Sequence, residues 1–416
     1  MKNFKDSGIE WLGEIPEHWE IKPLKAVFNQ RNEQNTNLKL HTILSLIKDI
    51  GVVPYEEKGN IGNKSKEDLQ SYKIARINDL VLNKMNAVIG SLGVSAYNGL
   101  VSPIYLVFYI NSPKYLMSYY SYLFQIKNVQ KFLKIYAYGI MEIRESIDYL
   151  DFKKMSLPVP PLKEQEQIAN FLDEKCEQIK NFIEKKEKLI SLLKEQKQAL
   201  INETITKGLD KNVNFKDSGI EWLGEIPQHW EARKLKYITY LRNQKNNNID
   251  FKVGLENIES KTGKYIPTSE MVFEEDGIGF EKGDILFGKL RPYLAKVFLA
   301  NKDGICVSEF LVLKIKSENN KFIKFLMLSS LFIDIVDSST YGTKMPRASW
   351  EFIGNLKIPL PSLKEQEQIA NFLDEKCKKI DLLIEKTEKQ IKLIKEYKTT
   401  LINQAVCGRR IIYAKI

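Results

Sequence analysis

The sequence is poor in the residues that build metal centres, disulfides and membrane spans. It has three histidines and four cysteines in 416 residues, and no two cysteines form a CxxC pair. This pattern argues against a zinc knuckle and a disulfide framework, and it fits a reducing compartment. No apolar run approaches the length of about 18 residues that a membrane span needs, and the start, MKNFKDSGIEW, lacks the apolar stretch of a signal peptide. We therefore expect a cytoplasmic protein.

Catalytic motifs are equally scarce. The chain has no GxxxxGK[ST] loop for ATP, and the GxG of DGIGF (276–280) is not followed by a third glycine. The only double proline, in VPPL (159–162), lacks the preceding amide or acid with which an amino-methyltransferase holds a flipped base. Three histidines (His18, His41 and His229) do not suggest a metal site. A DNA-modifying enzyme is therefore the weakest hypothesis, and the sequence predicts no catalytic and no metal-binding residue.

What the chain does contain is a repeat. NFKDSGIEWLGEIPEHWE at 3–20 returns at 214–231 with one change, Glu17 against Gln228. LKEQEQIANFLDEKC at 162–176 returns unchanged at 363–377, whereas the inserts between these blocks differ from each other. Near-identical frames around different inserts predict a pseudo-two-fold internal repeat, with one task for the frame and two versions of another task for the inserts.

The second repeated block predicts a long helix in each half. It follows a proline-rich stop, LPVPPL or IPLPSL, and continues without Gly or Pro to about Lys207 or Cys407. Apolar residues recur at steps of four and three between charged residues, which is the pattern of a coiled coil. We predict antiparallel pairing of the two helices, with an intermolecular dimer through the same seam as the alternative. The predicted seam consists of Leu172, Cys176, Ile179, Ile183, Ile190, Leu193, Leu200, Leu373, Cys377, Ile380, Ile384, Ile391, Ile394 and Leu401.

The two inserts share a skeleton despite their different sequences. IYLVFYI (104–110) and FLVLKIK (310–316) predict strands, and residues 114–133 and 320–338 predict helices. NDLVLNKM in the first insert also corresponds to GDILFGKL in the second. The predicted fold is two α/β (α+β) domains separated by two long antiparallel coiled-coil helices. The predicted division is 1–156 with opening segment 3–20, 157–207 for the first helix, 208–357 with opening segment 214–231, and 358–416 for the second helix and tail.

Positive charge is concentrated in the inserts. The chain has a net charge of +10, and residues 20–156 hold 18 Lys+Arg against 12 Asp+Glu. Residues 231–357 hold 20 against 16, and the remainder is balanced. Two separate basic blocks suit a phosphate backbone, although a basic surface without a nucleic-acid partner would give the same count.

The frame, its opening EWLGEIPEHWE and the junction LPVPPLKEQEQIA resemble the specificity subunit of type I restriction–modification systems, over essentially the whole chain. The resemblance implies two target recognition domains, each reading one half of a split DNA site, and helices that fix the spacer. It implies a non-catalytic scaffold whose partners are double-stranded DNA, two methyltransferase (modification) subunits and endonuclease/translocase (restriction) subunits. S-adenosylmethionine, ATP and Mg would belong to those subunits, and this one would need no cofactor. The alternative is a coiled-coil protein-interaction scaffold without DNA specificity.

The resemblance also nominates DNA-contacting residues. In the family a Gly-Asp-x-x-x-x-Lys-x-Arg stretch and a Tyr-Gly-Thr loop lie near the DNA-facing side. The matching positions in the second insert are Lys289, Arg291, Tyr341, Gly342, Thr343, Lys344 and Arg347. The first insert departs from the pattern, with Asn86 in place of the arginine, and there we nominate Lys84, Asn86, Tyr138, Gly139, Glu142 and Arg144. Arg suits guanine, Asn adenine and Glu cytosine, whereas the alternative role is a surface ion pair or strand-end packing.

The repeated opening segment is acidic and aromatic, which suits neither catalysis nor phosphate binding. We interpret it as the seat of each domain against the long helices. The residues expected to form that seat are Trp11, Leu12, Ile15, Pro16 and Trp19, with Trp222, Leu223, Ile226, Pro227 and Trp230 in the second copy.

Overall fold

The computed structural model describes residues 3–48, 50–59, 68–138, 146–246, 251–268, 277–342 and 344–410. The chain forms two compact units, residues 1–185 with 390–416, and residues 186–389. Each unit therefore contains one opening segment, one insert, the first part of one long helix and the second part of the other.

The first half of the chain has short strands and helices followed by one long helix. In chain order the elements are β1 (Phe4–Asp6), β2 (Glu14–Pro16), β3 (Glu20–Pro23), α1 (Leu24–Val27), β4 (Asn29–Gln30), β5 (Leu44–Ile47), β6 (Gly51–Pro54), β7 (Lys73–Ala75), β8 (Leu80–Asn83), β9 (Leu92–Val94), β10 (Gly99–Val101), β11 (Tyr105–Tyr109), α2 (Met117–Gln125), α3 (Lys127–Phe132), β12 (Ala137–Tyr138), β13 (Ser146–Ile147), α4 (Tyr149–Phe152), β14 (Ser156–Val159) and α5 (Leu162–Lys207).

The second half has a similar order of strands and helices. Its elements are β15 (Phe215–Asp217), β16 (Glu225–Pro227), β17 (Glu231–Lys234), α6 (Leu235–Ile238), β18 (Thr239–Arg242), β19 (Lys245–Asn246), β20 (Lys252–Val253), β21 (Gly277–Phe280), β22 (Ile285–Gly288), β23 (Val297–Leu299), β24 (Gly304–Cys306), β25 (Phe310–Ile315), α7 (Asn320–Leu328), α8 (Ser330–Ser338), α9 (Trp350–Asn355), β26 (Lys357–Leu360) and α10 (Leu363–Val406). No helix in the described ranges is long and apolar enough to cross a membrane.

The two inserts have the same central sheet. Its strand order is β4-β11-β8-β9 in the first and β18-β25-β22-β23 in the second, and every pair is antiparallel. The predicted strands at 104–110 and 310–316 are β11 and β25, each slightly shorter than predicted. Each predicted insert helix is broken once, at Ile126 or Ser329, where the backbone is extended. The prediction of two related α/β domains is confirmed.

Both inserts make the same turn before β8 and β22. Asn78 and Gly283 have φ angles of 69° and 95°, a conformation that asparagine and glycine tolerate better than other residues. The aspartate that follows accepts a backbone N–H and lies against an arginine side chain. The backbone hydrogen bonds are Arg76 N to Asp79 Oδ2 at 2.8 Å and Glu281 N to Asp284 Oδ2 at 2.8 Å. Arg31 Nε donates to Asp79 Oδ2 at 2.6 Å, whereas Arg242 Nε forms an ion pair with Asp284 Oδ2 at 2.7 Å. The Gly-Asp start of the family motif is thus a structural turn.

The long helices pair within each unit, with the start of one beside the end of the other. In the first unit Ile168 and Leu172 share a hydrophobic core with Leu401 and Val406. In the second unit the later part of α5, including Ile201 and Ile205, shares a core with Ile369 and Leu373. This confirms the predicted antiparallel pairing within one chain.

The predicted seam residues all lie on protected faces of these helices. Leu172, Ile179, Leu373, Cys377, Ile380, Ile391 and Leu401 are buried, and Cys176, Ile183, Ile190, Leu193, Leu200, Ile384 and Ile394 are partly buried. Burial raises the pKa of Cys377 to about 11, so this side chain packs as a neutral thiol.

The proline-rich leads of the two long helices contain strands, and α5 begins at Leu162 and α10 at Leu363. Residues 156–159 form β14, which pairs with β3 so that Val159 opposes Glu20. In the second unit Leu360 opposes Glu231 in the same register. Prolines in both leads lack the N–H that a helix interior needs, and this favours the extended backbone.

Candidate nucleic-acid interface

Two segments predicted to contact DNA lie side by side in the second unit. Lys289 and Arg291 follow β22, and the loop 341–347 runs beside them. The N–H of Arg291 donates to the Pro346 carbonyl at 2.8 Å, and that of Ala348 donates to the Lys289 carbonyl at 2.9 Å. Backbone pairing therefore joins two motifs that are distant in sequence.

Most polar side chains of this cluster face solvent. Tyr341 is 65% exposed, Arg291, Gly342 and Lys344 are exposed, and Lys289 is half-buried. Gly342 has a φ of 91°, which its lack of a side chain permits, whereas Arg291 has a φ of 52°. A non-glycine residue in the left-handed region costs about 1–2 kcal/mol. Such strain is concentrated where a functional site fixes the direction of a side chain.

Arg347 differs because it is paired within the protein. Its Nη2 donates to Glu309 Oε1 at 2.9 Å and its Nε to Glu309 Oε2 at 3.3 Å. The hydrogen bond to Glu309 raises the pKa of Arg347. The carbonyl of Glu309 also accepts the N–H of Lys289 at 2.9 Å, so this residue links the loop to the strand. Arg347 therefore has the ion-pair role that we considered as its alternative.

The first unit repeats this backbone arrangement. β12 and β13 pair so that Ala137 opposes Ile147. The N–H of Ile147 donates to the carbonyl of Lys84 at 3.0 Å, as Ala348 does to Lys289 in the second unit. In both inserts, therefore, a hairpin lies beside the residue that directly follows one strand of the central sheet, β8 or β22.

The side chains of the cluster in the first insert differ from those in the second. Lys84 is half-buried and Asn86 is exposed. Tyr138 is 57% exposed, and its hydroxyl donates to Asp151 Oδ2 at 3.3 Å. The charge of that carboxylate raises the pKa of Tyr138. Four nominated residues, Gly139, Glu142, Arg144 and Thr343, lie outside the described residues.

Sequence reasoning passed over the exposed apolar residues of both clusters. Met85 and Ile89 are exposed beside Asn86, and Tyr293 and Met345 are exposed near Arg291 and Lys344 in sequence. Apolar side chains can contact the methyl group of thymine, so they extend what a basic surface can distinguish. These residues lie inside or next to the motifs that predict DNA contact, and this position is the sequence signal that identifies them.

The type I restriction modification DNA specificity domain matches this chain twice, at residues 16–195 and 227–393. The chain belongs to this family. It is a type I specificity subunit with two target recognition domains, and the paired clusters lie in those domains. DNA and the other subunits of a restriction–modification complex are its partners.

Relatives and solved structures are similar to this protein over most of its chain. A Methanocaldococcus jannaschii protein assigned as the type I restriction enzyme MjaX specificity subunit is 27% identical, over 98% of this chain and 96% of its own. The MjaVIII specificity subunit of the same organism is 29% identical over 69% of each chain. A chain from a study of type I R-M complex assembly and conformational transition has a TM-score of 0.70 at 13% identity, over 95% of this chain and 99% of that one. The HsdS subunit from Thermoanaerobacter tengcongensis has a TM-score of 0.56 at 14% identity, over 95% and 98%. At these identities the solved structures show a shared fold.

The frame of this specificity subunit fastens each opening segment to the start of a long helix. Trp19 Nε1 donates to Glu164 Oε2 at 3.1 Å, and Trp230 Nε1 donates to Glu365 Oε1 at 3.0 Å. The neighbouring histidine approaches the same carboxylate in each unit. The seat residues that are buried are Leu12, Ile15, Pro16, Trp19, Leu223, Ile226, Pro227 and Trp230, whereas Trp11 and Trp222 are partly buried.

The glutamine that follows each of these glutamates joins the long helix to the recognition domain. Gln165 and Gln366 are fully buried. The Oε1 atom of each accepts a backbone N–H at the start of the insert's helical region, from Leu116 at 2.8 Å or Asn319 at 2.9 Å. The Nε2 atom donates to a proline carbonyl at 2.8 or 2.9 Å. The repeated Glu-Gln pair is therefore a structural junction.

We expect Gln366→Ala to destabilise the second unit by about 1–3 kcal/mol, because the substitution leaves buried backbone groups without partners. Thermal unfolding of the purified chain, with amide exchange of α7, measures the loss. Gln368→Ala is the matched control, since Gln368 is exposed on the same helix. Equal behaviour of the two variants would show that the junction hydrogen bonds contribute little.

Proposed function

We propose that this specificity subunit is non-catalytic and directs methyltransferase partners to a split site in duplex DNA, one half read by each recognition domain. The observation that carries the proposal is the duplicated cluster. The same hairpin beside the same strand end presents Lys289, Arg291 and Lys344 in one domain and Lys84 and Asn86 in the other. A shared scaffold with different side chains suits two readers of different sequences.

The side chains of the second cluster suit two kinds of DNA contact. A guanidinium can bind guanine bidentately, and an ammonium group can neutralise a phosphate. We assign Arg291 to a base edge, because its backbone is held by the loop and its side chain is exposed. Lys289, Lys344 and Tyr341 are assigned to backbone or base contacts beside it, with Gly342 shaping the loop and Thr343 kept as a predicted contact.

The first cluster is assigned the other half-site. Asn86 can form a bidentate pair with adenine, and Lys84 can contact a phosphate. Tyr138 and the predicted contacts Gly139, Glu142 and Arg144 complete the proposed contact set. Arg347 has a positioning role through Glu309, and it contacts DNA only if that pair opens.

The long helices are proposed to fix the spacer between the half-sites. A continuous helix rises about 1.5 Å per residue, so its length can set a distance that short loops cannot. The apolar faces of α5 and α10 are buried together in the core of each unit, and this burial keeps the helices paired.

Other subunits are proposed to supply the chemistry. The partners would be two methyltransferase subunits, which bind S-adenosylmethionine, and restriction subunits, which use ATP and Mg. Four free cysteines fit a cytoplasmic complex. The alternative hypothesis, a protein-interaction scaffold without DNA specificity, predicts that any DNA binding does not depend on the DNA sequence. The sequence dependence of DNA binding therefore distinguishes the two hypotheses.

Arg291→Ala should weaken binding of the cognate duplex by about 1–3 kcal/mol and relax the sequence requirement in one half-site only. Binding is measured with the methyltransferase partner at several salt concentrations, against duplexes altered in either half-site. Arg233→Ala is the control, since Arg233 is an exposed arginine on β17, outside the cluster. An unchanged half-site preference in Arg291→Ala would remove Arg291 from the reading surface, and sequence-indifferent binding by the unaltered chain would favour the scaffold alternative.

A further inference from the structure

One position beside the strand end differs in chemistry between the two clusters. In the first insert Tyr105 opposes Asn83, so the residues that flank this pair, Ile104 and Lys84, lie at the same end of β11 and β8. Glu309 has the matching position in the register of β25 and β22. An aliphatic side chain in the first cluster therefore stands where the second cluster has a carboxylate.

The hairpin changes together with this position. Arg347, which pairs with Glu309 in the second insert, opposes Tyr341 in its loop. Ser146 opposes Tyr138 in the first insert and so takes the place of the arginine. Both members of the ion pair are thus replaced together, one by a small hydroxyl side chain and the other by an aliphatic one.

The aliphatic position belongs to a small exposed apolar surface. Ile104 is 49% exposed, and Met85, which follows Lys84, is 48% exposed. The backbone of this segment is held, because the N–H of Met85 donates to Asn83 Oδ1 at 3.1 Å and that of Asn86 donates to the Asn83 carbonyl at 3.1 Å. A side chain on a fixed backbone loses less entropy when a ligand covers it.

Positive charge beside this surface favours DNA as the molecule that covers it. Lys73 Nζ donates to the carbonyl of Tyr105, the residue after Ile104, at 2.8 Å. Burial and the positive charge of Lys84 lower the pKa of Lys73, so the two ammonium groups are close enough to repel each other. A phosphate group relieves this repulsion, whereas an apolar protein surface does not.

Among the four unmodified DNA bases, only thymine has a methyl group in the major groove, and its partner adenine presents the atoms that asparagine binds bidentately. We propose that the first recognition domain reads A·T pairs in the major groove, with Ile104 and Met85 against thymine methyl groups and Asn86 on adenine. Ile104 is then a specificity-determining residue of this domain. The inference rests on the proposed function and assigns base chemistry to one of its two half-sites.

The test replaces thymine with uracil, which removes only the methyl group. The target is taken from sequencing of methylated bases, and the first half-site is the one that remains when the second insert is replaced by a copy of the first. Duplexes with uracil in either half-site are titrated with the complex of the full chain and its methyltransferase partner. We expect uracil in the first half-site to weaken binding about fourfold for each methyl group that is contacted.

Three variants connect this effect to the proposed side chain. Ile104→Glu introduces the residue of the second insert and should remove the effect of uracil in the first half-site, while any effect in the second half-site is unchanged. Ile104→Ala adds no charge and should reduce the effect in the same half-site. Ile77→Glu is the matched control, since Ile77 is 53% exposed in the same insert at the other end of β8, and it should retain the full effect. Binding that still depends on the second half-site shows that each variant is folded.

The outcomes separate this inference from the function on which it rests. A first half-site without an A·T pair, no loss of affinity with uracil there, or an equal loss in Ile104→Glu and the unaltered chain would each overturn the inference. The proposed function stands in these cases if scrambling either half-site abolishes specific binding. If duplexes with both half-sites scrambled bind as tightly as the target, the proposed function fails together with the inference.

Discussion

Trp230→Ala will open the second unit at the junction between its recognition domain and its long helix. Trp230 is fully buried in the core that joins α10 to the insert, and its Nε1 atom donates to Glu365. Removing a buried tryptophan costs about 3–5 kcal/mol, because the cavity left behind is only partly filled. Amide exchange should therefore accelerate by roughly 10²–10⁴-fold in β17, β26 and the first turns of α10, since each 1.4 kcal/mol is about a factor of ten.

Tyr237→Ala is the control for this experiment. Tyr237 is an aromatic residue of the same unit, but it is 63% exposed, and its removal should leave exchange in those elements unchanged. If Trp230→Ala exchanged as slowly as the control, the repeated opening segment would not be the seat of the domain. The equivalent substitution, Trp19→Ala, should affect the first unit in the same way, because Trp19 makes the same contact with Glu164.

A chain whose second insert, 232–357, is replaced by another copy of the first, 21–156, should recognise a target with two identical half-sites. At the boundaries of each insert, its first and last strands pair with each other, β3 with β14 and β17 with β26, in the same register. The two ends of the grafted insert therefore have the same spacing as the ends of the insert that it replaces. The half-site read by the second insert should disappear, which is a loss of about 10³-fold or more if several base contacts are removed at about 1–3 kcal/mol each.

Sequencing of methylated bases in cells that carry the grafted chain with its methyltransferase partner measures this change. Gln228→Glu, which makes the second opening segment identical to the first, is the control and should leave the target unaltered. Persistence of the original second half-site in the grafted chain would show that the inserts do not hold the specificity.

The frame of the molecule could be predicted because its signals are local and repeated. Heptad spacing without Gly or Pro determines α5 and α10 to within about a residue of their predicted ends. The central strands are apolar runs rich in β-branched and aromatic residues, and the common skeleton of the inserts indicated one fold for both.

The candidate interface could be predicted only in part, because its geometry depends on contacts between distant segments. The pairing of Arg347 with Glu309 depends on which strand lies beside the loop, and the sequence motif alone does not show it. The two inserts also share few residues in this region, so the first cluster lacked a close template. The buried roles of Gln165 and Gln366 were hidden in the same way, since each partner lies about fifty residues away in the chain.

Sequencing of methylated bases in cells carrying the unaltered chain and its methyltransferase partner tests the division of labour between frame and inserts most directly. We expect one split motif, with two different half-sites and a gap of fixed length whose bases are unrestricted. A single contiguous motif, or methylation that is independent of this chain, would overturn the assignment of one reader to each insert.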